Sequence, residues 1–200
     1  VKQILGGLGH NFATPAIVGR IVLMLSFPAA MSNWVIPFYN KADVVTSATP
    51  LVTGEASYRE LFMGTVGGCL GEVSAFALLL GGLYLFAMDI ISPAAPLAFM
   101  GTVAVFSYAV GQDGLYQVLA GGVVLGAVFM ATDYVTTPIT TKGKIIFGIG
   151  CGIITCVIRF WGSFPEGVSF SILLMNIVTP YIDMFTKKKA VGGIYEKEAK

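Results

Sequence analysis

Charge is scarce in this sequence. Only 12% of its 200 residues are Asp, Glu, Lys or Arg, about half the share of a soluble domain. The net charge of +1 leaves no basic excess for nucleic acid. One histidine and three cysteines, Cys69, Cys151 and Cys156, give no zinc-ligand spacing. The cysteines lie in apolar stretches and read as buried small hydrophobes. The alternative for Cys151 and Cys156 is an iron–sulfur site shared with another subunit. Residues 1–10 do not show the n-region and cleavage site of a signal peptide. The chain opens at Val1 on Gly6-Gly7-Leu8-Gly9-His10-Asn11, which reads as the interior of a longer protein. Gly67-Gly68-x-x-Gly71 lacks the Lys-Ser/Thr pair that a phosphate loop requires. Close helix packing is the plainer reason for those glycines.

What is abundant is hydrophobe and glycine: 56% and 25 residues, with mean hydropathy +0.81. This composition predicts an all-α polytopic membrane protein in one integral-membrane domain over residues 1–200, since small residues let membrane helices approach closely. About six membrane segments are expected, near 15–32, 62–89, 93–111, 115–132, 144–161 and 168–185. Met63 to Glu72 is too glycine-rich for a plain lipid-facing helix, so a broken or re-entrant segment is expected there. Ala120-Gly121-Gly122 predicts a second break. Lys187, Lys188, Lys189, Lys197 and Lys200 mark the 186–200 tail as cytoplasmic. Lys142 and Lys144 place the 133–143 loop on the same side. The 33–61 loop then lies outside, with Trp34 and Trp161 at the outer interface. Arg20 reads as a positive-inside anchor or as an ion-pair partner.

Within that outer loop, Asp43-Val44-Val45-Thr46-Ser47-Ala48-Thr49 is a polar run closed by Pro50. It has two readings: an ordinary Ser/Thr turn, or a modification signal. Asp133-Tyr134-Val135-Thr136-Thr137-Pro138 echoes it on the predicted opposite side. The echo is either chance or the mark of an inverted repeat. Glu72, an ionisable group inside a predicted membrane segment, is a functional candidate. The alternative for it is a carboxylate satisfied by backbone N–H groups in the glycine-rich break. Asp133 lines a cofactor or ion path, or caps a helix end. Arg159 is expected to pair with a carboxylate or a phosphate.

The run at 43–49 resembles the flavin-attachment signal Asp-x-x-Ser/Thr-x-Ala-Thr. Four further stretches resemble the RnfD/NqrB family, in order along the chain. Gly6-Gly7-Leu8-Gly9-His10-Asn11 with Pro15-Ala16-Ile17-Val18-Gly19-Arg20 is similar to its Gly-Gly-x-Gly…Asn-Pro-Ala-x-x-Gly-Arg element. Gly71-Glu72-Val73-Ser74 is similar to its Gly-Glu-x-Ser element, and Phe129 to Pro138 to its Phe-Met-Ala-Thr-Asp-x-Val-Thr-Ser/Thr-Pro element. Ile158-Arg159, Pro165-Glu166-Gly167 and Leu173-Leu174-Met175-Asn176, with Pro180 and Asp183, resemble its C-terminal signature; Leu-Met-Asn is closer to RnfD than to NqrB. Two departures stand out: Thr14 where the family usually has Asn, and Ser47 where the attachment signal often has Gly.

The resemblance implies FMN linked through a phosphodiester to Thr49, with Asp43, Thr46, Ser47 and Ala48 as the rest of the attachment motif. It also implies a second, non-covalent flavin such as riboflavin, for which Asp133, Thr136 and Thr137 are the candidates, or else an ion path there. Glu72 is the other ion-path candidate. The implied role is electron relay in an Rnf-type complex that couples ferredoxin:NAD⁺ electron transfer to Na⁺ or H⁺ translocation across a bacterial inner membrane. The implied partners are the other Rnf subunits (a second flavinylated one and small membrane subunits), a flavin transferase and membrane lipid. The alternatives are an NqrB-type subunit of a Na⁺-pumping NADH:quinone reductase, and a channel or transporter without redox chemistry.

Overall fold

The computed structural model describes residues 12–32, 34–35, 46–54, 56–69, 71–162 and 166–186. Its regular structure is almost all helix. α1 (Pro15–Ser26) starts on a proline at its first position, where the missing N–H costs nothing. It stops at Phe27, because Pro28 disfavours helical dihedrals in the residue before it. α2 (Pro28–Met31) is one further turn. Strands β1 (Trp34–Val35) and β2 (Thr46–Ser47) form a two-residue antiparallel ladder, Trp34 opposite Ser47 and Val35 opposite Thr46. α3 (Pro50–Thr53) ends at Gly54, φ +68.

The predicted segment 62–89 is not one helix. α4 (Tyr58–Met63) has a full capping box, Ser57 with Glu60, which satisfies two otherwise unpaired donors at its start. It ends at Gly64, φ +90, where an added Cβ would lie 2.9 Å from the Ser74 backbone. Helix resumes only at α5 (Ala75–Ala87), where the Ser74 side chain accepts from Ala77 N–H. The glycine-rich stretch between is irregular, as its composition predicts. α6 (Ala94–Ala109) is continuous. The predicted segment 115–132 is also broken. It comprises α7 (Gly114–Leu119), a gap at 120–122, α8 (Val123–Leu125) and a π-helical turn, Gly126–Met130.

The chain closes on two long helices, α9 (Thr141–Trp161) and α10 (Val168–Thr186). At 21 and 19 residues, each spans about 30 Å, the thickness of the hydrocarbon layer. Among the described residues these two are long and apolar enough to cross a membrane; α1, α5 and α6 are apolar but shorter. Ile145, Ile146, Ile149 and Ile153 of α9, and Leu174, Ile177 and Val178 of α10, point outward.

The core lies where α6 and α9 meet. Phe99 and Val103 of α6 are fully buried against Phe147 and Cys151 of α9, with Ile172 of α10 and Ile17 of α1 completing the cluster. Glycine makes the approach close. A Cβ at Gly148 would stand 2.6 Å from the Ala95 carbonyl oxygen, and one at Gly152 2.6 Å from Thr102. These two glycines, four apart, present one smooth face of α9 to α6. Cys151 and Cys156 are free thiols buried in this core, as their apolar settings predict. Pro180 sits inside α10 and removes one helical N–H there. The hydroxyl of the preceding Thr179 donates to the Met175 and Thr136 carbonyls, 3.0 Å each.

Two outcomes test this packing. Gly148→Val should force α6 from α9 and destabilise the fold by about 1–3 kcal/mol, measured as thermal unfolding in detergent; an unchanged midpoint would contradict the contact. The capping box has a pH signature. Hydrogen bonds from Ser57 hold the Glu60 carboxyl below its usual range, so its contribution is complete above the ordinary carboxylate pKa and is lost as pH falls through the lowered one. Glu60→Gln should abolish that acid-side dependence in hydrogen exchange of the α4 amides, while wild type retains it.

Candidate functional site

Residues from both ends of the chain converge on Thr49. Thr49 stands just before Pro50 in extended backbone and starts α3. The fold turns its side chain inward: the residue is 6% exposed, and its hydroxyl has no hydrogen-bond partner among the described residues. A cavity of about 140 Å³ opens on one side of it, bounded by Met24, Met31, Trp34 and Glu166. Thr49 also borders a smaller cleft lined by Gly67, Gly68, Glu72 and Gly121. Both glycine-rich breaks therefore meet beside this threonine. Gly121 has φ +67, and a Cβ there would lie 2.7 Å from Leu51 and 3.2 Å from the Arg159 guanidinium, so glycine alone fits. Ala48 is exposed. Thr46 and Ser47 hold their place through the ladder with β1. Asp43 lies outside the described residues.

The charges around Thr49 form one network. Arg20 of α1 donates to Glu166, in the connection before α10, at 2.5 Å, and its Nη2 lies 3.8 Å from Glu72. It also reaches Ser169 and the Cys69 sulfur, both at 3.3 Å. Arg20 is thus an internal ion-pair partner and not a free interfacial anchor. Glu72 is 5% exposed; its Oε1 accepts from Cys69 N–H at 3.2 Å, and its Oε2 has no hydrogen bond. The backbone of the break satisfies one carboxylate oxygen and leaves the other.

Of the two partners expected for Arg159, the carboxylate is not found. Among the described residues no acidic side chain lies at hydrogen-bond distance from it. It donates to the Gln117 carbonyl at 2.6 Å, the Gln117 amide oxygen at 3.1 Å and the Ala120 carbonyl at 3.1 Å. These carbonyls are orphaned where α7 stops short, and a cation suits that negative helix end.

A second polar group gathers at the other end of the α9–α10 pair. Asp133 accepts from Thr136 at 3.0 Å and from Thr14 at 3.5 Å, and Thr14 and Thr136 hydroxyls lie 3.1 Å apart. Asn176 of α10 joins them: with its amide turned for best satisfaction, its oxygen accepts from Thr14 Oγ1 and N, both at 3.2 Å. Thr14 therefore does not cap α1 with its side chain; it serves this cross-chain network. Thr137 turns the other way and donates to the Ala131 carbonyl at 2.8 Å. Beside the group a cavity of about 220 Å³ is lined by Asp133, Thr137, Thr132 and Lys144. The two echoing motifs thus do not meet at one site. Thr49 lies near the Trp161/Val168 end of the long hairpin and Asp133 near its Thr141/Thr186 end.

Sequence reasoning missed Glu166 and Thr14 as network members. Glu166 was visible as one of few acidic residues in an apolar stretch, but its partner is 146 positions away. Arg20→Gln should leave Glu72 and Glu166 buried without a counter-charge. The expected cost is about 3 kcal/mol in unfolding of the purified protein, with Arg20→Lys recovering part of it; equal stability of all three would remove the ion pair as a structural element.

The pattern of the NQR2, RnfD, RnfE family matches residues 1–192. The chain is 50% identical over 210 residues to the D subunit of the Na⁺-translocating ferredoxin:NAD⁺ oxidoreductase complex of Acetobacterium woodii, covering 100% of this chain and 65% of that one. It is 44% identical over 213 residues to the D subunit of the proton-translocating ferredoxin:NAD⁺ oxidoreductase complex of Clostridium ljungdahlii, covering 96% and 64%. It is 36% identical over 234 residues to the D subunit of an ion-translocating oxidoreductase complex of Stutzerimonas stutzeri, covering 96% and 66%. The chain thus spans about two thirds of the length of these relatives.

Proposed function

The chain belongs to the NQR2, RnfD, RnfE family, and from that premise we propose that it is the electron-relay D subunit of an Rnf-type ferredoxin:NAD⁺ oxidoreductase that translocates Na⁺ or H⁺. FMN is joined by a phosphodiester to Thr49. The observation that carries this reading is the Thr49 hydroxyl, buried without a partner at the end of the attachment motif. A free hydroxyl in that position leaves a donor unsatisfied, at a cost of about 1–3 kcal/mol. An ester oxygen has no proton to donate, so the same environment suits the esterified residue. The adjoining cavity provides space beside it.

When bound, the flavin supplies one- and two-electron redox chemistry. The chain's own residues position it. Pro50 and the β1–β2 ladder hold Thr49 at the mouth of the two broken segments. Arg20 keeps Glu166 and Glu72 in place on either flank. The tether raises the local concentration of cofactor and prevents its loss.

In the same reading the chain crosses a bacterial inner membrane in about six segments, two of them full helices and the others shorter or broken. The lysine distribution puts Thr49 outside and the C-terminal tail in the cytoplasm. The Asp133–Thr136–Thr137 group, at the opposite end, takes a second non-covalent flavin such as riboflavin or forms part of an ion path, and the paired motifs descend from an inverted repeat. The partners are the other Rnf subunits, among them a second flavinylated one and small membrane subunits, with a flavin transferase and lipid. The ion named differs between the two relatives at 50% and 44% identity.

The test is a denaturing gel under ultraviolet light with intact-mass measurement, from cells that have the flavin transferase. Wild type should fluoresce at the mass of this chain plus one FMN less water. Thr49→Ala should be dark and unmodified. An unmodified wild type ends the covalent reading, and a labelled Thr49→Ala moves the acceptor elsewhere.

A further inference from the structure

We propose that residues 49–54 form a flap that must open before flavin is attached, and that Tyr116 is the positioning residue that latches it shut over Thr49. The inference rests on the reading of Thr49 as the acceptor. A phosphodiester forms from a hydroxyl only when the phosphate carries a leaving group, so the donor is a flavin nucleotide with a phosphoanhydride. Thr49 Oγ1 bonds to phosphorus and the anhydride bond breaks. A nucleoside monophosphate leaves with the electron pair, and the hydroxyl proton passes to a base of the transferase. For this step the oxygen has to come within about 3–3.5 Å of the phosphorus, inside the active site of another enzyme. In this structure Thr49 is 6% exposed, and its Oγ1 is sealed from solvent. The acceptor and the transferase cannot meet while residues 49–54 lie as they do here.

The elements around Thr49 differ in how firmly they are held. α7 is fixed at both ends. A Cβ at Gly114 would stand 2.5 Å from the Ala104 carbonyl oxygen of α6, and Arg159 of α9 holds the Gln117 and Ala120 carbonyls at 2.6 and 3.1 Å. α3 has no such mount. It is four residues long, too short to persist as a helix by itself, and its Val52 and Thr53 are exposed together with Gly54. Among the described residues, the hydrogen bond that joins residues 49–54 to another helix runs from the Tyr116 hydroxyl to the Pro50 carbonyl, at 2.9 Å. Buried Pro50, and Leu51 packed over Gly121, add apolar contact. At the far end Gly54 has φ +68, with nothing within 4 Å of the place a Cβ would take. It can absorb the dihedral change that a hinge requires. Tyr116 therefore ties a fixed helix to a movable one, at the residue next to the acceptor, and acts on Thr49 only through Pro50. Opening releases one hydrogen bond and a small apolar contact, which is the scale of local opening in folded proteins.

The experiment uses the complete membrane complex made in cells without the flavin transferase. Transferase, flavin adenine dinucleotide and Mg²⁺ are added, and the fluorescent band is followed in time. When opening is fast beside the chemistry, the rate follows the open population. Tyr116→Phe should label about fivefold faster than wild type, the factor that one net hydrogen bond is worth, and to the same final extent. A variant that had merely lost its structure would fall short in extent. Tyr108→Phe, on the exposed face of α6, should match wild type. A second readout needs no transferase. Thr49→Cys is treated with N-ethylmaleimide, and the adduct at position 49 is read by peptide mass. The thiol should react far more slowly in the folded complex than in the unfolded chain, and adding Tyr116→Phe should raise its rate by the same factor. The flap is overturned if that thiol reacts equally fast in both, or if Tyr116→Phe moves neither rate. It is also overturned if cells with the transferase label the chain while the folded complex takes no label, since attachment then precedes folding. A wild-type chain that stays unlabelled in both settings overturns the attachment reading and the flap's part in it. Maleimide rates that still depend on Tyr116 tell that outcome from a failure of the flap itself.

Discussion

A guanidinium held between two carboxylates, inside a chain built for lipid, is the constraint on which the rest of this structure depends. Arg20 contacts Glu166 and Glu72 from α1, and each of the three sits on a different part of the fold. Away from water such groups persist only when they compensate one another. The pairing therefore fixes α1 against the glycine-rich break and against the start of α10. Thr49 is placed by what this cluster leaves open: a cavity toward Glu166 and a cleft toward Glu72.

Broken helices make that arrangement possible. Backbone without helical hydrogen bonds is tolerated at membrane depth only where protein or a polar cavity receives it. Here the first break is received by Glu72, whose carboxylate accepts from Cys69 N–H. The second is received by Arg159, which takes the Gln117 and Ala120 carbonyls. One break thus meets an anion and the other a cation, in keeping with the groups each exposes. Continuous packing of α6 on α9 supplies the rigid support, through Gly148 and Gly152.

Much of the fold was legible in the sequence. The apolar runs 144–161 and 168–185 became α9 and α10 to within about a turn, because length and hydropathy largely decide such helices. Both breaks were legible, the first from the glycine-rich stretch Met63 to Glu72 and the second from Ala120-Gly121-Gly122, since glycine runs weaken a helix wherever they occur. Family membership was legible too, from ordered motifs spread over the whole chain. The burial of Thr49, by contrast, carries no local signal; it depends on α1, α3 and the Glu166 connection closing around it. The acceptors that Arg159 has among the described residues are carbonyls and an amide oxygen, and no residue type announces a backbone carbonyl.

The sequence by itself determined the class of protein, the positions of the long helices and of the breaks, and the family, since these follow from composition, periodicity and motif order. Only the tertiary structure decided which polar groups share an interior. Arg20 is 146 positions from Glu166, and Thr14 is 119 from Asp133. Such pairings are set by how helices of different lengths stack, and by the requirement that each buried charge find its complement. That requirement acts across space and has no period along the chain.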